Sequence, residues 1–387
     1  MKTNKKLKSH NLIFSDFETK WYKYWANQLH QKPPYLENYS LRANKFWQNS
    51  IIVESLNQLG LIKPDNKAIG FGVGNERLPA LFAKLKINVL ATDQDFTTKK
   101  AKHWQTFELA TDIYRLNSIG ICNEKVFKKY TKYRSIDMNN IPDELYNQYN
   151  FVWSNCALGH LGSINNGLDF IVNSSKCLKP GGYGVHTTEM NVLSNNDTVD
   201  SGDTVIFRPR DIIILAKKLK KIGVVLVPLS LNFGKTDYDK RITMQPQYGN
   251  DYSKIHLKNH LLTQVVLIVH RPIVIPKFIN IHKHYIEYMK NVYKQQRIKK
   301  ILKFDKKILE MADSSINNGD IAILKNKFKI NLSKNPKNVF IPCINKSKNA
   351  IFSPNALDPV AYPITLTTAK PLDRSSKFIA SNWLNGQ

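Results

Sequence analysis

The segment Ala68-Ile69-Gly70-Phe71-Gly72-Val73-Gly74-Asn75-Glu76-Arg77-Leu78 passes from an apolar run, through three closely spaced glycines, into a helix-forming stretch. A buried strand, a glycine-rich turn and a helix are expected there. Glycine suits such a turn because it accepts backbone angles other residues resist, and because it lets a ligand approach the main chain closely. Nineteen residues past Gly74, a second apolar run, Val89-Leu90-Ala91-Thr92, ends at Asp93. An acid at that strand end can accept hydrogen bonds from both ribose hydroxyls of an adenosine-containing ligand.

On either side, short β-like runs alternate with helical ones. The strand candidates are Ala68–Phe71, Val89–Ala91, Tyr133–Ile136, Phe151–Trp153, Gly184–Thr188, Val224–Leu231 and Gln264–His270; the helical candidates are Phe46–Leu59, Leu78–Leu85, Lys99–Ala110, Gly167–Cys177 and Arg210–Ile222. Such alternation predicts a mostly parallel sheet with helices on both faces. The last two runs have no convincing helix between them, so an antiparallel final pair is expected to close the sheet edge. The fold expected is therefore α/β, a Rossmann-like doubly wound seven-stranded sheet with an antiparallel last strand. Their connection, Asn232–Thr263, is long for a hairpin and carries Tyr238, Arg241, Tyr248, Asp251, Tyr252 and His256. Long connections in compact domains are commonly functional, and that composition suits a polar substrate.

A dinucleotide fingerprint, G-x-G-x-x-G, would place its third glycine at Arg77. The observed G-x-G-x-G fits S-adenosylmethionine better, because no pyrophosphate has to be cradled at the helix N-terminus. Downstream, Ile136-Asp137-Met138 ends the third strand, where the acid can take an adenine amino group while Met138 packs on the ring. Phe151-Val152-Trp153-Ser154-Asn155 ends the fourth, placing small polar groups beside a sulfonium. Cys177-Leu178-Lys179-Pro180-Gly181-Gly182 closes a helix and turns into the fifth. The cofactor-binding candidates are Gly70, Gly72, Gly74, Asp93, Asp137, Met138 and Ser154.

This succession resembles the class I S-adenosylmethionine-dependent methyltransferases. Gly70–Leu81, Ala91-Thr92-Asp93, Asp137-Met138-Asn139, Trp153–Gly162, His186-Thr187-Thr188-Glu189 and Phe207–Ile212 further resemble a bacterial subgroup associated with surface-glycan assembly, over roughly residues 46–271. The resemblance implies O-methylation of a sugar, a glycan or another small polar acceptor, in the setting of polysaccharide biosynthesis. Three positions depart from the pattern. Gly70 stands where the family usually has an acid, Glu76 where a third glycine is common, and Gly159 where the subgroup has Glu before His-Leu-Gly.

Methyl transfer to a hydroxyl needs alignment and a general base. His160, just past the fourth strand, is the candidate base, since an imidazole titrates near neutral pH. Glu189, at the end of the fifth strand, faces the crevice where ligands bind in open α/β sheets and is the second candidate. His186, inside that strand, reads as a core histidine, and Arg208, Arg210 and Asp211 read as a helix start. No spacing of His, Cys, Asp or Glu suggests a metal.

The 387 residues carry a formal net charge of +27, but only ten of the 57 Lys and Arg residues are Arg, and Asn and Ile are abundant as well. That combination points to compositional bias more than to a nucleic-acid face. An RNA or protein methyltransferase is the alternative the charge suggests; no Asn/Asp-Pro-Pro-Tyr motif follows the fourth strand, where Ser154-Asn155-Cys156-Ala157 stands. A non-catalytic binding module on the same fold is the other alternative. Cys122, Cys156, Cys177 and Cys343 lie far apart, as expected of reduced thiols. No apolar run approaches the ~20 residues of a membrane span, and Met1–Ser9 is followed by no secretory apolar region; a cytoplasmic protein is expected. The expected organisation is a lead-in over 1–45, the methyltransferase domain over 46–273, and a basic C-terminal extension over 274–387 whose stretch His282–Ala312 is helical.

Overall fold

The computed structural model describes residues 8–31, 43–95, 113–240, 242–243, 254–257, 260–276, 279 and 281–294, with short strands at 342–343, 350–352 and 366–368. The expected helix Lys99–Ala110 lies outside the described residues, as do Arg241, Tyr248, Asp251 and Tyr252.

The strands that position the site are β1 (Ser9–Asn11), β2 (Lys67–Phe71), β3 (Asn88–Asp93), β4 (Thr131–Ser135), β5 (Tyr149–Asn155), β6 (Leu178–Asn191), β7 (Val225–Leu226), β8 (Leu229–Ser230), β9 (Lys254–Leu257) and β10 (His260–His270). Their core order is β4-β3-β2-β5-β6-β10. The pairs from β4 to β6 are parallel, β10 runs antiparallel to β6, and β7 pairs antiparallel with β10. These are the seven expected strands, with the antiparallel member where the alternation of elements put it. The run Val224–Leu231 does not form one strand, however. Pro228 has no N–H to give a ladder, so β7 and β8 flank it as two short pieces.

Alternation along the strands shows why both faces are covered. In β2, Ile69 and Phe71 enter one apolar cluster and Ala68 the other; in β5, Val152 faces the first, and Phe151 and Trp153 the second; in β10, Val265, Leu267 and Val269 oppose Val266 and Ile268. Period-two side chains that are apolar on both faces require a helical layer on each side. The helices are α1 (Phe14–Phe17), α2 (Lys20–Gln28), α3 (Ala43–Gln58), α4 (Leu78–Lys84), α5 (Glu124–Tyr130), α6 (Ile164–Lys176) and α7 (Pro209–Lys221). α6 and α7 cover the Phe71 face, and α2 to α5 cover the Trp153 face. Two caps follow from local sequence. Ser163 Oγ accepts from Asn166 N at the start of α6 (3.1 Å), and Asp211 Oδ2 accepts from Arg208 N at the start of α7 (2.8 Å). Arg208, Asp211 and Arg210 thus belong to a helix start, as expected.

The N-terminal segment is woven into this sheet. β1 pairs antiparallel with β10 and parallel with β8, and the indoles of Trp25 and Trp47 donate to Glu54 Oε2 (2.9 Å) and Asp16 Oδ2 (2.8 Å). Tyr238, expected to face a polar substrate, is instead buried against Phe14 and Phe17, because an aromatic ring beside an apolar lead-in gains more by leaving water than by lining a polar cleft. Residues 282–294 are helical; Asn291 docks that helix on β8 through Leu229 O (2.9 Å) and Leu231 N (3.0 Å). Among the described residues, no helix is long and apolar enough to cross a membrane.

Candidate active site at the carboxyl ends of the strands

β2, β3, β5 and β6 bring their carboxyl ends to one edge of the sheet, the edge where open α/β sheets bind ligands. After β2 the chain turns through Gly72 and Gly74, at φ +61° and +49°. The turn is tied to β3 by Val73 N to Thr92 O (3.1 Å), Thr92 Oγ1 to Gly70 O (2.8 Å) and Gly74 N to Asp93 Oδ2 (2.9 Å). Gly72 is tightly walled: a Cβ there would stand 2.7 Å from Ala157 Cβ and 3.0 Å from Met138 Sδ. Glycine is required both for its φ and for this approach. Gly72, Gly74, Asp93 and Met138 are thereby assembled at one place. Asp93 is 5% exposed, and its other oxygen, Oδ1, accepts from Gln94 N (2.8 Å). Asp137 is exposed, its Oδ1 accepting from Asn139 N (2.9 Å).

Ser154 sits at the strand end, but its hydroxyl is committed inward. It pairs with His186 Nδ1 at 2.8 Å, and both residues are fully buried. Burial pushes the His186 imidazole down to about 3, so the ring is neutral; it also meets the Phe170 ring edge-on. His186 is a core residue.

Gly70 has a packing role. It lies opposite Trp153 in the parallel register, and a Cβ on it would fall 2.2 Å from the indole. The position where the family pattern carries an acid is therefore filled by an aromatic ring from the next strand. The same ring holds the other departure: Trp153 Nε1 donates to Glu76 Oε1 at 2.6 Å. Glu76 is 9% exposed, and its second oxygen, Oε2, is buried with no hydrogen-bond partner among the described residues. Burial raises the Glu76 carboxyl to about 8, against the lowering effects of Trp153, the Lys45 ammonium and Asn155, while Asp93 adds to the rise. Sequence reasoning took Glu76 only as a missing glycine. No linear signal pointed to it, because the pairing of Gly70 with Trp153 exists only in the strand register.

Beyond β5 the chain enters the left-handed region at Cys156 (φ +59°). Around it a polar network joins β5, β6, β10 and α3. Asn155 Nδ2 donates to Asn49 Oδ1 (2.7 Å), Thr187 Oγ1 donates to Asn155 Oδ1 (3.0 Å), and Glu189 Oε1 accepts from Cys156 Sγ (2.9 Å) and Gln264 Nε2 (3.0 Å). Gln48 Nε2 donates in turn to Gln264 Oε1, while Gln48 Oε1 is buried without a hydrogen-bond partner among the described residues. Burial and the adjacent Glu189 carboxylate hold the Cys156 thiol well above its ordinary range. It is a hydrogen-bond donor there and not a nucleophile.

His160 ends the 3-10 turn Leu158–His160, with Nδ1 beside Asp203 O (2.9 Å) and Thr204 Oγ1 (3.3 Å). The carbonyl fixes the proton on Nδ1 and makes Nε2 the basic nitrogen. His160 and Glu189 thus belong to separate hydrogen-bond systems. Among the described residues, no group of three or more His, Cys, Asp or Glu could hold a metal.

These observations test the fit of an adenosyl donor. The Gly72 turn, walled by Met138 and Ala157, has no room for a side chain, so its backbone stays bare at the strand edge. Asp93 stands at the strand end, and the orphaned Glu76 oxygen awaits a donor. The residues fit the group.

No protein-family model matches the chain, and no curated protein matches it. Among solved structures, the 1,6-didemethyltoxoflavin-N1-methyltransferase of Burkholderia thailandensis, bound to S-adenosylhomocysteine, aligns at 12% identity and TM-score 0.35, over 67% of this chain and 86% of its own. A SAM-dependent methyltransferase from Aquifex aeolicus aligns at 14% and 0.31, over 56% and 88%, and one from Methanosarcina mazei at 10% and 0.32, over 55% and 94%. The strand order β4-β3-β2-β5-β6-β10-β7, parallel except for β10, is itself the evidence for the fold: this chain has a Rossmann-like doubly wound α/β architecture.

Proposed function

We propose that the protein is an S-adenosylmethionine-dependent methyltransferase that methylates a hydroxyl of a small polar acceptor, a sugar or glycan. The observation that supports the donor is the convergence of Gly72, Gly74, Asp93 and Met138 at the carboxyl edge of the sheet. The acceptor class rests on the resemblance of Trp153–Gly162 and His186–Glu189 to the glycan-associated subgroup.

When bound, the donor supplies an electrophilic methyl on a sulfonium, open to in-line displacement. Asp93 is suited to the ribose hydroxyls, Met138 to one face of the adenine, and Asp137 to its amino group. On the acceptor side, Glu189 is held by Cys156 and Gln264 so that its carboxylate orients a hydroxyl, and His160 is the base that takes the proton. Removing a hydroxyl proton as the bond forms contributes about 10²–10⁴-fold in such reactions.

Calorimetry with S-adenosylhomocysteine tests the donor. Micromolar binding to the folded chain is expected, and no binding would exclude the enzyme reading in favour of a non-catalytic module. Transfer of a radiolabelled methyl group into glycan, RNA and protein fractions then tests the acceptor, with label expected in glycan. Label in RNA or protein instead would assign the acceptor to that class.

A further inference from the structure

We propose that Glu76 receives the α-ammonium of the donor's amino-acid end, in place of the acid that the family carries on β2. The inference rests on the donor reading above. Its grounds are geometric. The β2 position is closed, because any side chain at Gly70 would enter the Trp153 ring. The ring that closes it also aims Glu76, holding one carboxyl oxygen through Nε1 at 2.6 Å. The other oxygen is buried with no hydrogen-bond partner of good geometry among the described residues. Buried carboxylate oxygens are nearly always satisfied, and an orphan at a ligand edge calls for a donor from the ligand. Glu76 also lies within electrostatic reach of Asp93 and Lys45, and the Asn155 side chain is close enough to lower its carboxyl by hydrogen bonding. It stands after the β2 turn, bonded to β5 through Trp153 and near Asp93 at the end of β3, the edge assigned above to the donor. An ammonium has three donors and no acceptor, which complements the carboxylate that Glu76 becomes once it gives up its proton on binding.

The test compares S-adenosylhomocysteine, which has the ammonium, with methylthioadenosine, which lacks the amino-acid end, on the full chain at pH 7 in buffers of differing ionisation enthalpy. Burial keeps Glu76 near 8 in the ligand-free protein, so pairing with an ammonium must ionise it. Binding of S-adenosylhomocysteine is expected to release about one proton, with the release fading above pH 8, whereas methylthioadenosine releases none. The first ligand should also bind at least about ten-fold tighter, the size of a charge-assisted hydrogen bond. Glu76→Gln should abolish the proton release and narrow that gap, while methylthioadenosine affinity stays unchanged. Proton release that persists in Glu76→Gln overturns the proposal, as does its absence from the unsubstituted protein when both ligands bind. Should Glu76→Gln fail to fold, the two-ligand comparison on the unsubstituted protein decides alone. If neither ligand binds the folded protein, the donor reading falls and this inference falls with it, an outcome distinct from binding without proton release.

Discussion

Trp153 explains two residues that look like losses when the chain is read linearly. Its ring occupies the volume over Gly70, and its Nε1 draws the Glu76 carboxyl into a site 9% exposed. The carboxyl prefers its neutral form there, since removing a charge from water is expensive when no counter-charge makes full contact. A measurable pH dependence follows. Glu76 titrates at about 8 in the folded chain against an ordinary 4.5. The folded state therefore holds a proton that the unfolded state has lost across that interval, and stability falls as pH rises through it. His186 has the opposite sign: its folded value of about 3 lies below the ordinary 6.5, so its effect is confined to pH below 6.5. Between pH 6.5 and 8 the Glu76 effect stands clear of that of His186. Urea midpoints over this window should drop by the equivalent of about 1.4 kcal/mol per pH unit at most, and the difference between Glu76→Gln and the unsubstituted protein should carry that slope. Parallel pH profiles for the two proteins would show that Glu76 does not titrate there.

At the scale of elements, the site is a product of strand register. Gly70 faces Trp153 across β2 and β5, Ser154 faces His186 and Asn155 faces Thr187 across β5 and β6, and Glu189 faces Gln264 across β6 and β10. Each of these pairs touches because it shares a rung, and a one-residue slip would send every member to the opposite face. α3 then closes the network from above through Gln48 and Asn49. Glu189 is the charged member of this network, and replacing it by Gln keeps its shape and its bond from Gln264 while removing the negative charge. Glu189→Gln is expected to lower kcat by ten-fold or more, in line with an order-of-magnitude general-base or orienting contribution, and to leave S-adenosylhomocysteine affinity within about two-fold. Loss of cofactor affinity with kcat retained would move Glu189 to the donor side. Position at the strand ends pointed to Glu189 and His160. Gln48, Asn49 and Gln264 carried no linear signal, because their role arises only when α3 and β10 arrive at the same strand end.

The whole molecule shows why the expected boundary at residue 46 deserves an experimental test. Leu12, Phe17, Tyr22, Trp25, Ala26 and Leu29 are all buried in the cluster that also holds Trp47, Trp153 and Ile268, and β1 extends the sheet against β10. At about 1.5–3 kcal/mol for each large apolar side chain, their removal rivals the whole stability of a domain, about 5–15 kcal/mol. Residues 46–273 expressed alone are expected to show no cooperative thermal transition, as followed by circular dichroism; a melt matching that of the full chain would make the lead-in dispensable. What could be read without coordinates was local: apolar runs of strand length, the glycine turn at Gly72 and Gly74, the acid at Asp93, and the order in which helices and strands alternate. Those features depend on near neighbours, and they sufficed for a doubly wound sheet and for the edge at which its strand ends gather. β1 was not readable, since Ser9-His10-Asn11 has neither the period nor the apolar residues of a strand and owes its conformation to β8 and β10. Nor was the linkage of Gly70, Glu76 and Trp153. The hydrogen bond between Trp153 and Glu76 spans 77 residues of chain, and whether a buried carboxylate is a defect or a binding group depends on which ring stands beside it, a matter that only packing between strands decides.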